Sequence, residues 1–271
     1  MKKEIKLKNY NISELNNLCK EIRKEIINIT CNAKSGHTAG PLGAVEQYVA
    51  LYFGGILKFD SDRVVVSNGH YAPLFYTILS YAGFFEKSLL KTLRKIGSPL
   101  QGHPVRGELD GVLTTSGPLG CGLSQAIGMC IACKMDKKES QIYCMMSDGE
   151  QDEGNIWEGV MLAGKLKLEN LTAIIDRNRI QIDGFTEEVL PLDSLKLKYE
   201  SFGWSVLEID GHDLKSIIDS LVLAKKIYEK PVLIICNTIP GKGVLFMEDK
   251  YSWHGKVVNQ EEADLALKEL N

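Results

Sequence analysis

The stretch Ser147–Gly184 constrains the fold more than any other part of this chain. The apolar run Gln141–Met146 before it is short enough for a β-strand, and Asn155–Leu166 has the apolar spacing of an amphipathic helix. A second apolar run, Leu171–Ile175, follows a turn. The order strand, helix, strand predicts a βαβ unit whose two strands run parallel.

Polar residues follow both strands of this unit. Asp148 begins an acidic turn after the first strand, and Asn178 follows the second. The carboxyl ends of parallel strands meet at one edge, where open α/β sheets place ligands. A carboxylate and an amide oxygen at one place suit a hard cation such as Mg²⁺ or Ca²⁺. Either residue alone is also a common turn or cap residue, so the spaced pair, rather than its members, favours a metal site.

The rest of the chain continues the alternation of helices and strands, which predicts an α/β fold: one doubly wound domain with a mainly parallel sheet and helices on both faces. Further strands are predicted at Arg63–Ser67, Trp204–Ile209 and Val232–Cys236. Helices are predicted at Ile12–Ala33, Leu42–Phe53, Pro73–Tyr81, Leu123–Met135, Leu214–Tyr228 and Gln260–Leu270.

All five histidines lie next to a glycine, in loops or at a strand end: His37, His70, His103, His212 and His254. Glycine lets backbone and imidazole approach a ligand together, and histidine carries protons near neutral pH. No pair has the spacing of a zinc site on one helix. Each would be an ordinary loop histidine if it stood alone, but the set indicates binding of substrate hydroxyls and phosphate.

Composition excludes several other classes. The net charge of −3 gives no reason to expect nucleic acid or an anionic membrane as partner. The amino terminus is not a secretory signal, and no apolar run is long enough to span a membrane. Seven cysteines, mostly in apolar segments, indicate reduced thiols and a cytoplasmic protein. Cys130 and Cys133 form a CxxC pair within a predicted core helix, where packing is favoured over redox or metal function.

The segment D-G-x-x-x-E-G-x-x-W-E from Asp148, followed by N-L-T-A-I-I-D-x-N-x-I-x-I-D-G, resembles the thiamine-diphosphate signature of the transketolase family. The motifs SGH, SNGH, QGHP, SGPLGCG and WHG occur elsewhere in the family's order, and the resemblance runs from about Leu15 to Asn259. It implies the thiamine-diphosphate-binding fold. The chain departs from the usual pattern at Ser147 (usually Gly), at Thr38 (usually Pro) and in the loop after His103.

The resemblance implies thiamine diphosphate and Mg²⁺ (or Ca²⁺) as cofactors. The metal would be held by Asp148, Asn178 and the Ile180 carbonyl. His37 and His103 would face the substrate as catalytic residues, and Glu153 would join an acidic relay between paired active sites. The cofactor itself would be contacted by His70, Gly117, Leu119, Asp148, Gly149, Glu150, Asn178 and His254. Arg106 is interpreted as a solvated loop residue rather than a reader of substrate, and Lys242 suits phosphate contact and a solvated turn about equally.

The resemblance covers only the family's first domain, so residues 1–271 are interpreted as a single pyrophosphate-binding domain. The pyrimidine-binding and carboxy-terminal domains are expected on a separate chain, in a heterotetramer. The chain would then be the amino-terminal subunit of a split transketolase, which transfers a two-carbon ketol unit from a ketose to an aldose. Pentose phosphates are the default substrates, and a sulfosugar is the alternative.

Two other functions fit parts of the sequence. One is a role in another thiamine-diphosphate enzyme, of the 2-oxoacid dehydrogenase alpha or deoxyxylulose-phosphate synthase type, which the early SGH and QGHP loops disfavour. The other is a non-catalytic cofactor-binding module. The presence of Asp148, Asn178 and Glu153 argues against such a loss of activity.

Overall fold

The computed structural model describes residues 10–271. The first nine residues lie outside the described residues. The prediction that the amino terminus is not a secretory signal falls partly on them. Its strands are β1 (Arg63–Val66), β2 (Ile142–Ser147), β3 (Leu171–Arg177), β4 (Ile180–Gln181), β5 (Gly184–Phe185), β6 (Ser205–Asp210) and β7 (Val232–Asn237). Its α-helices are α1 (Ile12–Ala33), α2 (Ala39–Gly43), α3 (Val45–Phe53), α4 (Ala72–Tyr81), α5 (Cys121–Met135), α6 (Gly154–Lys165), α7 (Thr186–Val189), α8 (Leu195–Ser201), α9 (Leu214–Ala224) and α10 (Gln260–Glu269).

The central sheet confirms the predicted α/β class. Five strands pair in parallel in the order β1-β2-β3-β7-β6, while β4 and β5 form a separate antiparallel hairpin. The helix predicted over Leu42–Phe53 starts earlier and is divided in two, because the backbone at Ala44 (φ −90°, ψ 4°) leaves helical geometry. Short 3-10 helices occupy Gly69–Tyr71, Lys87–Thr92, Gly149–Asp152 and Tyr251–Trp253.

Both faces of the sheet are buried, which explains the uninterrupted apolar runs of its strands. On β2, Tyr143 and Met145 pack into a core with α1, α3, α4 and α9, whereas Cys144 and Met146 pack into a second core with α5, α6 and α8. Successive side chains of a strand point to opposite faces, so one strand supplies both cores. The helices therefore cover both faces, as the doubly wound prediction requires.

The CxxC pair belongs to this packing. Cys130 is buried in α5, with its Sγ 3.8 Å from the carbonyl oxygen of Asn170. Within residues 10–271, no three His, Cys, Asp or Glu side chains are grouped so as to hold a metal ion. No helix in the same range is long and apolar enough to cross a membrane.

Two helix glycines provide a test of this packing. A Cβ added at Gly164, in α6, would lie 1.9 Å from the carbonyl oxygen of Phe202, whereas a Cβ at Gly128, in α5, would meet no atom within 4 Å. We expect Gly164→Ala to lower the free energy of unfolding by at least about 2 kcal/mol, because backbone must move. Gly128→Ala is expected to raise it by up to about 1 kcal/mol through helix propensity. Urea denaturation of both variants measures this, and equal effects would contradict the described packing.

Candidate active site

The structure brings the three predicted metal ligands together at the carboxyl edge of the sheet. Asp148 follows β2, Asn178 follows β3, and Ile180 opens β4, and each of them is buried, with at most 3% of its surface exposed. Ser147 pairs with Asp176 in the parallel register, which sets the two turns side by side. The backbone nitrogen of the residue after Asn178 donates to Asp148 Oδ2 at 2.6 Å, and Ile180 N donates to Asn178 Oδ1 at 3.0 Å.

A buried hydrogen-bond network behind Asn178 was missed by the sequence analysis. The carboxylate of Asp176 is fully buried and accepts hydrogen bonds from Gln47 Nε2 (2.8 Å), Thr238 Oγ1 (2.6 Å), Asn178 Nδ2 (2.9 Å) and the Tyr71 hydroxyl. Asn178 Nδ2 also donates to the Tyr71 oxygen at 2.8 Å. Because the amide nitrogen is engaged twice, the amide is oriented with Oδ1 as its available ligand atom. A carboxylate inside an otherwise apolar strand was the signal that could have revealed this network.

Asp148 has an equally unforeseen partner. The guanidinium of Arg177, the last residue of β3, lies with Nη1 3.2 Å from Asp148 Oδ2. Burial raises the pKa of Asp148 to about 7, while the charge of Arg177 opposes that rise. Asp148 is thus an aspartate whose ionised form depends on nearby positive charge.

Glu150 connects three of the motif loops. Its carboxylate is fully buried and accepts hydrogen bonds from Ser67 Oγ (2.6 Å) and from Ser147 N (3.0 Å) and Oγ (3.2 Å). Ser67 Oγ in turn accepts from Gly122 N at 3.1 Å. Burial raises the pKa of Glu150 to about 7, and these hydrogen bonds oppose the rise. Both carboxylate oxygens bond to the protein, so the predicted contact of Glu150 with a cofactor stays a prediction.

Three of the predicted histidines form a cluster beside this site. The ring centroid of His37 lies 5.0 Å from that of His70 and 5.4 Å from that of His254, and the last two are 5.7 Å apart. One buried nitrogen on each ring has no hydrogen-bond partner among the described residues: His37 Nδ1, His70 Nε2 and His254 Nδ1. Buried polar atoms normally have partners, so these atoms indicate a place for a polar ligand. His103 adjoins the cluster, since a Cβ on Gly69 would lie 3.1 Å from its Cδ2.

The cluster is held neutral near pH 7. Burial lowers the pKa of His37 to about 4, and the neighbouring charges of His254, Arg94 and His103 add to the shift. Burial likewise lowers the pKa of His70, His103 and His254. A neutral imidazole donates a hydrogen bond from one nitrogen and accepts at the other, as proton transfer and hydroxyl binding require.

His212 does not belong to this cluster. Its Nε2 accepts a hydrogen bond from Ile239 N at 2.8 Å, so Nδ1 carries the proton toward Glu46 Oε2, 3.3 Å away. The same Glu46 oxygen accepts from Arg23 Nη2 at 2.6 Å. His212 therefore ties the loop after β7 to the helical layer, and only four of the five histidines lie near the metal ligands.

Arg94 is a further site residue that no motif indicated. Its Nη1 donates to Ser35 Oγ at 2.9 Å and its Nη2 donates to the Gly102 carbonyl at 3.1 Å. The side chain thereby bridges the loops that carry His37 and His103. Its Nε is buried without a hydrogen-bond partner among the described residues. Arg94 lies outside the motifs that contain His37 and His103, so no local sequence pattern indicated that it joins their loops.

The glycine-rich loop before α5 lies against the start of α6. Gly117 has φ 153°, and an added Cβ there would meet no atom within 4 Å. The Leu119 carbonyl accepts a hydrogen bond from Asn155 Nδ2 at 3.4 Å. Gly120 has φ 79°, a left-handed backbone conformation that favours glycine, and an added Cβ there would lie 2.0 Å from Asn155 Oδ1. Glu153, the predicted acidic-relay residue, is exposed at the N-cap of α6.

The remaining candidates occupy more ordinary positions. Gly149 N donates to Asp148 Oδ1 at 2.8 Å, so it adjoins the predicted metal ligand. Arg106 is exposed, and its backbone nitrogen donates to Thr115 Oγ1 at 3.1 Å, as expected for a solvated loop arginine. Lys242 is half-buried between Gly241 and Gly243, which leaves both of its interpretations open.

A parallel sheet that gathers an aspartate, an asparagine and neutral histidines at its carboxyl edge defines a class of cofactor-binding α/β protein. The family described as "Transketolase, thiamine diphosphate binding domain" matches residues 15–270. The chain therefore belongs to the transketolase family and corresponds to its thiamine diphosphate binding domain. The predicted family and fold are confirmed.

Similar proteins agree with this assignment. The chain is 40% identical to an apulose-4-phosphate transketolase subunit of Phocaeicola vulgatus, in an alignment that covers 92% of this chain and 91% of the relative. It is 41% identical to a 6-deoxy-6-sulfo-D-fructose transketolase subunit of a Clostridium species, covering 87% and 88%. The crystal structure of transketolase from Campylobacter jejuni superposes with a TM-score of 0.89 at 31% identity, over 96% of this chain and 43% of that one. The chain thus spans less than half of that solved transketolase.

The pKa of His37 generates a prediction for stability. Because burial holds it at about 4, below the usual value of 6.5, the unfolded chain binds a proton that the folded chain does not. The contribution of neutral His37 to the free energy of unfolding is fully present above pH 6.5. It is lost as the pH falls from 6.5 toward 4. Between pH 7.5 and pH 5, His37→Gln should lose less free energy of unfolding than the wild type, by up to about 2 kcal/mol. Urea denaturation at the two pH values measures this change. If the free energy of unfolding falls by the same amount in both proteins, His37 is not held neutral by the fold.

Proposed function

We propose that this chain is the amino-terminal subunit of a split transketolase and supplies the diphosphate-binding half of its active site. The observation that carries the proposal is the cluster of buried histidine nitrogens beside Asp148 and Asn178 that have no hydrogen-bond partner in the part of the chain the structure describes. Relatives of matching length that are named transketolase subunits support it. The described residues, 10–271, then form a single pyrophosphate-binding domain.

The donor set fits a divalent cation bound together with a diphosphate. Asp148 offers one carboxylate, Asn178 Oδ1 an amide oxygen, and Ile180 a backbone carbonyl. Mg²⁺ takes one or two protein carboxylates and completes its coordination with water and phosphate oxygens, and Ca²⁺ accepts the same oxygen ligands. We therefore assign Mg²⁺ or Ca²⁺ to these three residues, with His70 and His254 directed to the diphosphate. The Gly149 backbone nitrogen donates to Asp148 Oδ1, so its contact with phosphate requires that hydrogen bond to be exchanged for one to the ligand.

When bound, thiamine diphosphate supplies the carbanion chemistry that takes up and releases a two-carbon ketol unit. His37 and His103 are neutral, and Arg94 joins the two loops that carry them. They bind the sugar hydroxyls and move protons at the substrate oxygens. Gly117 and Leu119 present backbone groups to the aminopyrimidine ring. Glu150 fixes the turn that carries Asp148, and the exposed Glu153 faces another polypeptide, where it contributes to the acidic relay.

The partner is a carboxy-terminal transketolase subunit with the pyrimidine-binding domain and the glutamate that activates the cofactor. The complex is proposed to be a cytoplasmic heterotetramer. Its substrates are small anionic sugars, of the phosphosugar or sulfosugar type that the relatives' names give for those proteins. The donor is a ketose and the acceptor an aldose.

The split nature of the site can be tested with the purified chain. We expect the isolated chain to show no ketol transfer, because the groups that bind the other end of the cofactor are on the partner. Co-expression with a neighbouring open reading frame of about 300 residues that encodes the two other domains should restore it. A coupled assay over a panel of ketose donors measures both arms. Substantial turnover by the isolated chain would disprove the division of the site.

The metal assignment predicts a selective loss in Asp148→Asn. Without the carboxylate, binding of thiamine diphosphate in the presence of Mg²⁺ should weaken at least about tenfold, since the cation loses its charged protein ligand. Isothermal titration calorimetry on the isolated chain measures this without any activity assay. Asp136→Asn, an exposed change of the same kind after α5, is the control and should bind like the wild type. Equal affinities for all three proteins would refute the metal site.

A further inference from the structure

A buried arginine shares the aspartate at the centre of the proposed metal site. Only 6% of the Arg177 side chain is exposed, and its Nη1 donates to Asp148 Oδ2 at 3.2 Å and to Thr186 Oγ1 at 2.8 Å. A buried charge requires a partner, and Asp148 is the only fully buried carboxylate within bonding distance of this guanidinium among the described residues. The pair is thus built into the fold at the metal site.

The two carboxylate oxygens of Asp148 have different partners. Oδ2 accepts hydrogen bonds from Arg177 and, at 2.6 Å, from the backbone nitrogen of Arg179. Oδ1 accepts one hydrogen bond, from Gly149 N at 2.8 Å. A carboxylate oxygen has two lone pairs, so Oδ1 keeps one of them for a cation. Arg177 fixes the carboxylate in that orientation.

The arginine also changes the charge that a free cation meets. Asp148 is the sole carboxylate among the three donors, because Asn178 and Ile180 offer neutral oxygens. The guanidinium offsets its negative charge at close range. The carboxylate of Asp176 lies behind the amide, where four donors already surround it. A cation bound to a diphosphate is already accompanied by the negative charge of that anion. Its binding therefore depends less on the net charge of Asp148 and Arg177.

We propose that Arg177 is a positioning residue that makes this site selective for a cation–diphosphate complex over the free divalent cation. The inference rests on the proposed function, because it assumes a diphosphate cofactor at Asp148. It assigns Arg177 two effects: it holds Asp148 Oδ1 toward the cation, and it lowers the attraction of the site for a cation without its anion.

A surface carboxylate on the other side of the guanidinium offers a second way to change the same balance. Arg177 Nη2 lies 2.5 Å from Glu187 Oε1, and the Glu187 side chain is 36% exposed. Removing the charge of Glu187 leaves Arg177 less neutralised and strengthens its hold on Asp148. Glu187→Gln should therefore act on the free cation in the opposite direction from the loss of Arg177.

The test is a pair of calorimetric titrations of the full chain, one with Mn²⁺ alone and one with the preformed Mn²⁺–thiamine diphosphate complex. In wild type, the complex should bind at least about tenfold more tightly than Mn²⁺ alone. In Arg177→Gln that ratio should fall about tenfold, chiefly through tighter binding of Mn²⁺, because a positive charge near the cation is removed. Arg177→Lys, which keeps the charge, should preserve most of the ratio. Lys167→Gln, which removes a surface charge paired with Glu229, is the matched control.

Each outcome decides the matter. An unchanged ratio in a folded Arg177→Gln protein would overturn the role of Arg177. If that variant does not fold, Glu187→Gln decides: weaker binding of Mn²⁺ alone supports the inference, and unchanged or tighter binding overturns it. If the complex does not bind to the wild-type chain even when that chain is co-expressed with the proposed partner, the proposed cofactor site itself is refuted. Binding that Asp148→Asn does not weaken lies elsewhere on the protein.

Discussion

The parallel pairing of β2 with β3 is the constraint on which the site depends. The register aligns Ser147 with Asp176, so that the turns after the two strands leave the sheet at one level. The hydrogen bond from Arg179 N to Asp148 Oδ2 then joins the turns directly. Everything proposed for the cation follows from this one alignment, since a slip of one residue would direct Asp148 and its partners to opposite faces.

The buried charges around that alignment are stabilised by neutral donors as well as by ion pairs. Asp176 has four donors and Glu150 three, and none of these donors is a charged group. Asp148 differs, because it is paired with Arg177. Burying an unpaired carboxylate is costly, so these partners are required for folding as well as for orientation of the ligand atoms. Function and stability therefore depend on the same hydrogen bonds.

The chain carries the residues proposed for the diphosphate end of a binding site. Its histidine nitrogens that have no hydrogen-bond partner within residues 10–271, together with the carboxylate of Asp148, are suited to groups brought by a ligand, namely phosphate oxygens and sugar hydroxyls. The glycine-rich loop before α5 and the exposed Glu153 lie at the surface, where a second polypeptide can reach them. A division of the enzyme between two chains is compatible with this arrangement, because the residues proposed to hold the diphosphate and its cation all lie on this chain.

The sequence by itself determined the α/β class, the βαβ unit and the loops that lie at one edge of the sheet, because apolar periodicity and the order of strands and helices can be read along the chain. It also indicated the family, through long motifs in a fixed order. Only the tertiary structure decided that His212 turns to Glu46, that Asp176 orients Asn178, and that Arg177 meets Asp148. Arg177 and Asp148 are 29 residues apart. Such pairs depend on side-chain direction and burial in the packed sheet, which no local pattern encodes.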